Sequence, residues 1–179
     1  MMSSMIQHMA LRTAFSFLLL LGIAAPAHAQ SGDTAIIDRK DIPPAVTAQV
    51  TCGTEPESIT RRPFAGGFVF AWVCPGNNAN YIQALVFARN ESGEGATLLR
   101  FPQPPRKGEA AEELSNIRWD AKARIVSQLF VDPESRICRS EARWHLNGTP
   151  PNPSLMYWRE TRDCAGKGGW KVLVNNGGR

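Results

Sequence analysis

The stretch from Ile137 to Cys164 constrains the fold of this chain more than any other. Between Cys138 and Leu146 every second residue is small or apolar (Cys138, Ser140, Ala142, Trp144, Leu146), and Arg139, Glu141, Arg143 and His145 fill the places between. A period of two is the mark of a half-buried strand. Asn147-Gly148 and the prolines Pro150, Pro151 and Pro153 follow before a second run, Ser154 to Cys164. Proline cannot donate to a ladder, so the pattern predicts an antiparallel hairpin with a long tip, Asn147 to Pro153. If Cys138 stands opposite Cys164, the same register sets Trp144 against Trp158 and Leu146 against Met156. A slip of one residue would turn the whole apolar set to the other face. On the polar face this register puts Arg143 opposite Arg159 and His145 opposite Tyr157. Glu160 and Arg162 share the cysteine face, which is expected to reach solvent at that end.

The compartment follows from the N-terminus and the cysteines. Arg12 precedes the apolar run Ala14 to Ala25, then Pro26 and the small-residue site Ala27-His28-Ala29. This pattern predicts a secretory signal peptide, residues 1–29, cut before Gln30. The apolar run is too short to span a bilayer core of ~30 Å, and no second one follows, so no membrane span is expected. The four cysteines (Cys52, Cys74, Cys138, Cys164) all lie beyond the leader, and none forms a C-x-x-C. An even count in an oxidising compartment reads as two disulfides, with no metal site and no cofactor. The hairpin selects Cys138 with Cys164, which leaves Cys52 with Cys74. In the chain-entropy model each bridge contributes about 3 to 4 kcal/mol. Lys and Arg number 20 against 16 Asp and Glu. Such a mild excess does not argue for nucleic acid, which calls for a concentrated basic patch.

Further along, residues 30–41 are polar with a short apolar island and predict a flexible start; residues 42–175 predict a single β-rich domain. Pro43-Pro44 favours a short helix over Ala45 to Thr51. Gly53 to Arg62 is polar and reads as a loop. Gly67 to Cys74 carries apolar residues on both faces, the pattern of a strand buried on both sides, and Pro75-Gly76-Asn77-Asn78 has turn chemistry. Strands are expected at Tyr81 to Arg89, Ala96 to Phe101, Asn116 to Asp120, Arg124 to Val131 and Trp170 to Val174, with one helical turn at Glu109 to Leu114. Turns are expected at Asn90 to Gly95, Asp120 to Ala123 and Asp132 to Ser135. The fold class is all-β: an antiparallel meander, either a curved sheet or a barrel, with two disulfides and one or two short helical turns.

Several short motifs occur in a particular order. Cys74 ends a strand before an Asn-containing turn that reaches Asn80, and Glu-Leu-Ser-Asn-Ile-Arg-Trp-Asp spans 113–120. Ser127-x-x-Phe130 follows, then Cys138 six residues before Trp144, then Asn147-Gly148 and a closing Cys164. From Trp72 to Trp170 this order resembles a family of bacterial exported proteins known as domain of unknown function 1176. The family pattern has a glycine-rich turn with Asp directly before the first of the hairpin cysteines, and a second aromatic two residues after the tryptophan. Here Asp132-Pro-Glu-Ser-Arg-Ile leads into Cys138, and Leu146 replaces the aromatic. The resemblance implies a periplasmic β-rich domain and no established activity.

Catalytic constellations are sparse. His145 is the one histidine beyond the leader, and it sits on the polar face of the predicted central strand, where solvation is the plainer role. The paired acids Glu112 and Glu113, or Asp132 and Glu134, could serve hydrolysis only if they converged on a cleft. Lys167 among glycines lacks the spacing of a phosphate loop. The residues that stand out are Arg139, Arg143, His145, Tyr157 and Arg159 on the outer face of the hairpin. Like charges held opposite one another are unfavourable on a sheet, so an arginine stripe that keeps them suits an anionic partner; a merely solvated face is the plainer alternative. The sequence therefore predicts a monomeric, non-enzymatic periplasmic or secreted protein with an envelope protein or anionic envelope ligand as partner. A protein inhibitor of an exported hydrolase, presenting Asn147 to Pro153, is the alternative, and a carboxylate-dependent hydrolase ranks third.

Overall fold

A computed structural model describes residues 35–53, 56–77, 79–105, 107–164 and 168–177. The signal peptide expected at 1–29 and Lys167 lie outside them. The described strands pair antiparallel in two sheets. The first sheet runs β1 (Ala35–Ile36), β2 (Ser58–Phe64), β3 (Gly67–Asn77), β4 (Asn80–Ala88) and β5 (Thr97–Leu98), and β6 (Glu113–Ser115) also pairs with β4. The second runs β7 (Arg118–Asp120), β8 (Ile125–Val131), β9 (Arg139–Asn147), β10 (Asn152–Thr161) and β11 (Trp170–Asn175). Apart from β6, which pairs with β4 rather than β5, neighbours in sequence are neighbours in each sheet. The result is a meander split into two layers, with no closed barrel, and the chain passes from one layer to the other between β6 and β7. A single turn of 3-10 helix (Arg39–Asp41) and α1 (Pro44–Thr47) lie between β1 and β2, with Pro44 at the start of the helix, where its fixed φ fits.

Strand β3 shows why the first sheet is covered twice. Phe70, Trp72 and Cys74 pack with Ala84, Val86 and Val46 on one face, under the N-terminal segment. Val69 and Ala71 pack with Leu85 and Phe87 on the other, against Val126, Ala142, Trp144, Leu146 and Trp158 of the second sheet. Both faces are apolar because neither meets water. The two disulfides are those expected: Cys52–Cys74 ties the N-terminal layer to the end of β3, with Cα atoms 5.6 Å apart, and Cys138–Cys164 closes the open end of the β9–β10 hairpin, with Cα atoms 4.8 Å apart.

The hairpin exists, but its register differs from the expected one. Trp144 stands opposite Leu155, Leu146 opposite Pro153, and Trp158 opposite Ala142. The tip is short, since Asn152 and Pro153 already belong to β10. Pro153 fits there because Leu146 directs its own N–H to Arg124 on the other side, so this pair exchanges no ladder bond that proline would break. A bulge between Leu155 and Tyr157 then adds one residue to β10 and reverses its alternation. Leu155 and Trp158 therefore both reach the core between the sheets. The two tryptophans do meet, edge to face at 6.3 Å between ring centroids, as a diagonal pair rather than an opposed one. The cysteines lie beyond the ladder, which ends at Ser140 and Glu160, and so could not fix its register.

Four further expectations are corrected. Ser58–Phe64 is a strand and not part of a loop. Its charged residues conceal apolar partners on β3, because Arg61 stands opposite Phe70 and Arg62 opposite Val69. Pro75 and Gly76 lie within β3, at a register shift between Cys74 and Asn77, rather than ending it. No helical turn forms at 109–114; Glu113–Ser115 is strand, held against Ile82, Gln83 and Ala84. The strand expected at 96–101 is regular only over Thr97–Leu98, and Phe101 makes an isolated bridge to Ala111.

Candidate functional site

Strand alternation gives the second sheet one apolar face, turned to the first sheet, and one polar face. On the polar face β9 presents Arg139, Glu141, Arg143 and His145, and β8 sets Ser127 opposite Arg143 and Leu129 opposite Glu141. Strand β7 adds Arg118 opposite Ser127. The bulge places Tyr157 opposite Arg143 and Arg159 opposite Glu141, and β11 sets Val172 opposite Arg159. The predicted stripe is thus brought onto one face, but its expected pairings are replaced. Arg143 does not face Arg159, and His145 faces Ser154 rather than Tyr157.

The new partners change the electrostatics. Arg159 donates through Nε and Nη2 to Oε2 of Glu141 at 2.8 and 2.6 Å, and its guanidinium lies 4.3 Å from the centre of the Trp170 ring. Arg159 is therefore neutralised and stacked, and the expected opposition of Arg143 and Arg159 does not arise. Arg143 sits 5.5 Å from the centre of the Tyr157 ring. His145 shares a 2.8 Å hydrogen bond with Asn147 across its Nδ1. Among the described residues, the ion pairs include no carboxylate for Arg118, Arg139 or Arg143. Two of these free cations, Arg118 and Arg143, line a hollow of about 240 Å³ with Asn116, Ser127, Leu129 and Glu141. In the sequence Arg118, Ser127 and Asn116 stand out only as parts of short motifs, not as binding residues. Ser127 could have been read as one: it lies on the polar alternation of β8, directly across from Arg143.

Asn116 is fixed in the wall of that hollow by a side-chain network joining the two sheets. It adopts a left-handed φ of 47°, which asparagine tolerates better than most residues. Its amide nitrogen donates to Oδ1 of Asn80 at 3.0 Å and to the Leu129 carbonyl at 2.9 Å, and its Oδ1 accepts from the Tyr81 N–H at 2.9 Å. Asn80, only 3% exposed, treats Val131 as a strand neighbour would. It donates to the Val131 carbonyl at 2.7 Å and accepts from the Val131 N–H at 2.9 Å. A buried amide so bonded joins the end of the first sheet to β8 without leaving polar groups unmet.

The acids do not converge. Glu112 pairs with Arg100 at 2.8 Å. Asp132 caps the β8–β9 turn by accepting from the N–H groups of Ser135 and Glu134 at 2.7 and 3.1 Å. Bonds from the Ser135 backbone, and then its side chain, hold the Asp132 carboxyl below the usual carboxylate range. Cys52, Cys74 and Glu113 gather within 4.8 Å of one another, but both sulfurs are joined in a disulfide, which leaves Glu113 as the one ionisable donor of that group. No helix among the described residues is long and apolar enough to cross a membrane. Compared with protein-family models, with curated proteins and with solved structures, the chain matches none.

Proposed function

We propose that this is a non-enzymatic binding or accessory protein of the bacterial envelope, exported to the periplasm, that holds an anionic partner on the polar face of its second sheet. The resemblance to the family of domain of unknown function 1176 favours the same setting, and two disulfides suit an oxidising compartment. The observation that carries the reading is the pair Arg118 and Arg143, which face one hollow and pair with no carboxylate among the described residues, Glu141 in its wall being bound to Arg159. A guanidinium is the side chain best suited to forked contact with carboxylate or phosphate. The partner face is thus Arg118, Ser127 and Arg143, flanked by Arg139, Tyr157 and His145, with Arg159 committed to Glu141.

The test is a photo-crosslinking residue at Ser127 in the exported protein, irradiated in its own envelope. Adducts should weaken as salt rises, because exposed charges are screened within ~8 Å at physiological ionic strength, and should be lost in Arg118→Gln/Arg143→Gln. Identical adducts at every salt concentration and in the double variant would remove the proposal. The inhibitor alternative loses its main support, a protruding loop: Pro151 is buried, and Thr149 donates to the Ala65 carbonyl at 3.0 Å, which seats the hairpin tip on the β2–β3 turn.

A further inference from the structure

We propose that the mouth between the two sheets, around Arg62, is a second and separate binding site, which takes a small amphiphilic carboxylate. It lies on the core-facing side of β7, whereas the hollow of Arg118 and Arg143 lies on the other, and it does not depend on the reading above. The site is a cavity of about 190 Å³ lined by Arg62, Thr60, Gln83, Ile117 and Trp119 over a floor of Val69, Ala71 and Leu85.

Adjacent arginines on β2 show what is unusual about it. Arg61 pairs with Glu91 at 2.9 Å on the other face of the strand. Arg62 points to the face that Val69, Ala71 and Leu85 make apolar, and no carboxylate among the described residues pairs with it. Its one close neighbour of note is the ring of Trp119, with 5.2 Å between guanidinium and ring centre. Burial pushes its affinity for the proton down, as expected for a cation drawn partly out of water without a counter-ion. Thr60 and Gln83 stand beside it with side chains that make no hydrogen bond within the described protein.

These features select the ligand. A half-buried cation without an acid calls for an anion, and a planar guanidinium beside a hydroxyl and an amide matches a carboxylate. The floor excludes an inorganic anion as the best fit, because Val69 and Leu85 are at most 1% exposed and give a fully hydrated ion nothing to bind. The size sets an upper limit: at ~30 Å³ per water the space admits about six water-sized groups, less than drug-sized ligands fill. A short aliphatic or aromatic monocarboxylate meets all three conditions, with its tail on the floor and its head at Arg62.

Hexanoate is a suitable probe, titrated into the 15N-labelled protein and followed by amide and indole chemical shifts, with hexanol as the neutral control. The expected result is saturable shifts centred on Thr60, Gln83 and the Trp119 indole, with hexanol weaker by roughly tenfold or more. Arg62→Gln should weaken hexanoate by a similar factor and leave hexanol unchanged. Ala71→Leu, which fills the floor, should weaken both and keeps the proposal testable if Arg62→Gln does not fold. The site is refuted if no saturable shift appears up to about 10 mM, if Ala71→Leu binds as the parent does, if Arg62→Gln binds hexanoate equally well, or if the shifts fall on the Arg118–Arg143 face.

Discussion

Strands β3 and β9 are built on the same alternation and meet opposite fates. On β3 both sets of side chains are apolar, Phe70 and Trp72 on one face and Val69 and Ala71 on the other, and both are buried. On β9 only Ala142, Trp144 and Leu146 are buried, and their neighbours Arg139 and Arg143 are exposed. The first sheet lies between the N-terminal layer and the second sheet, so it has no free face on which to recognise anything except at its edges and at the mouth near Arg62. The second sheet is covered once, and its uncovered face carries Arg118, Arg139 and Arg143, which pair with no acid among the described residues. Covering a sheet determines which of its residues are left available for chemistry.

This contrast can be tested by substitution, and the largest effects belong to the buried faces. Phe70→Ala and Phe87→Ala lie on opposite faces of the first sheet and should each cost about 3 to 5 kcal/mol in urea denaturation, as should Trp144→Ala on the inner face of the second. A cost under about 1 kcal/mol for Phe70→Ala would mean that the N-terminal layer does not cover that face. Asn80→Ala comes next, at about 1 to 3 kcal/mol, because it orphans the Val131 backbone and the Asn116 amide in a buried place. Hydrogen exchange at Val131 should quicken in that variant; unchanged protection would show that the sheets are not joined there.

On the uncovered face the effects shrink. Arg159→Gln should cost about 0.2 to 1 kcal/mol through loss of the Glu141 pair, and Arg143→Gln less. A rise in melting temperature for the pair of substitutions would instead support the register in which Arg143 and Arg159 oppose each other. The smallest effect is the pH dependence of the β8–β9 turn. The folded Asp132 carboxyl sits below its unfolded value, so its contribution is present above the ordinary carboxylate range and is lost as pH falls through the folded value. An NMR titration should find Asp132 titrating below the usual aspartate range, and Asp132→Asn should remove that acid-side change.

Residues that answer to local rules were legible before any coordinates. The alternation on β3 and β9 announced strands and their buried faces, the cysteine count announced two disulfides and the hairpin pattern their pairing, and Asp132-Pro133 announced a turn. These readings hold because side-chain periodicity and turn chemistry are properties of a few consecutive residues. Strand β2 was hidden for the same reason, since Arg61, Arg62 and Pro63 have little local strand character and are held by their partners on β3. The register of β9 and β10 was misread because it turned on one extra residue near Met156 and on Pro153 inside a strand, and a bulge leaves no signal in the alternation until its partner strand is known. The stripe Arg139, Arg143, His145, Tyr157 and Arg159 could be assigned to one face from sequence. Which of its charges are neutralised, and that Arg118 and Ser127 complete a hollow beside Arg143, depended on strands far apart in the chain being laid side by side. Sequence determined which residues could face water; only the tertiary structure decided which charged groups found partners there, because pairing depends on distances across the sheet that no local pattern records.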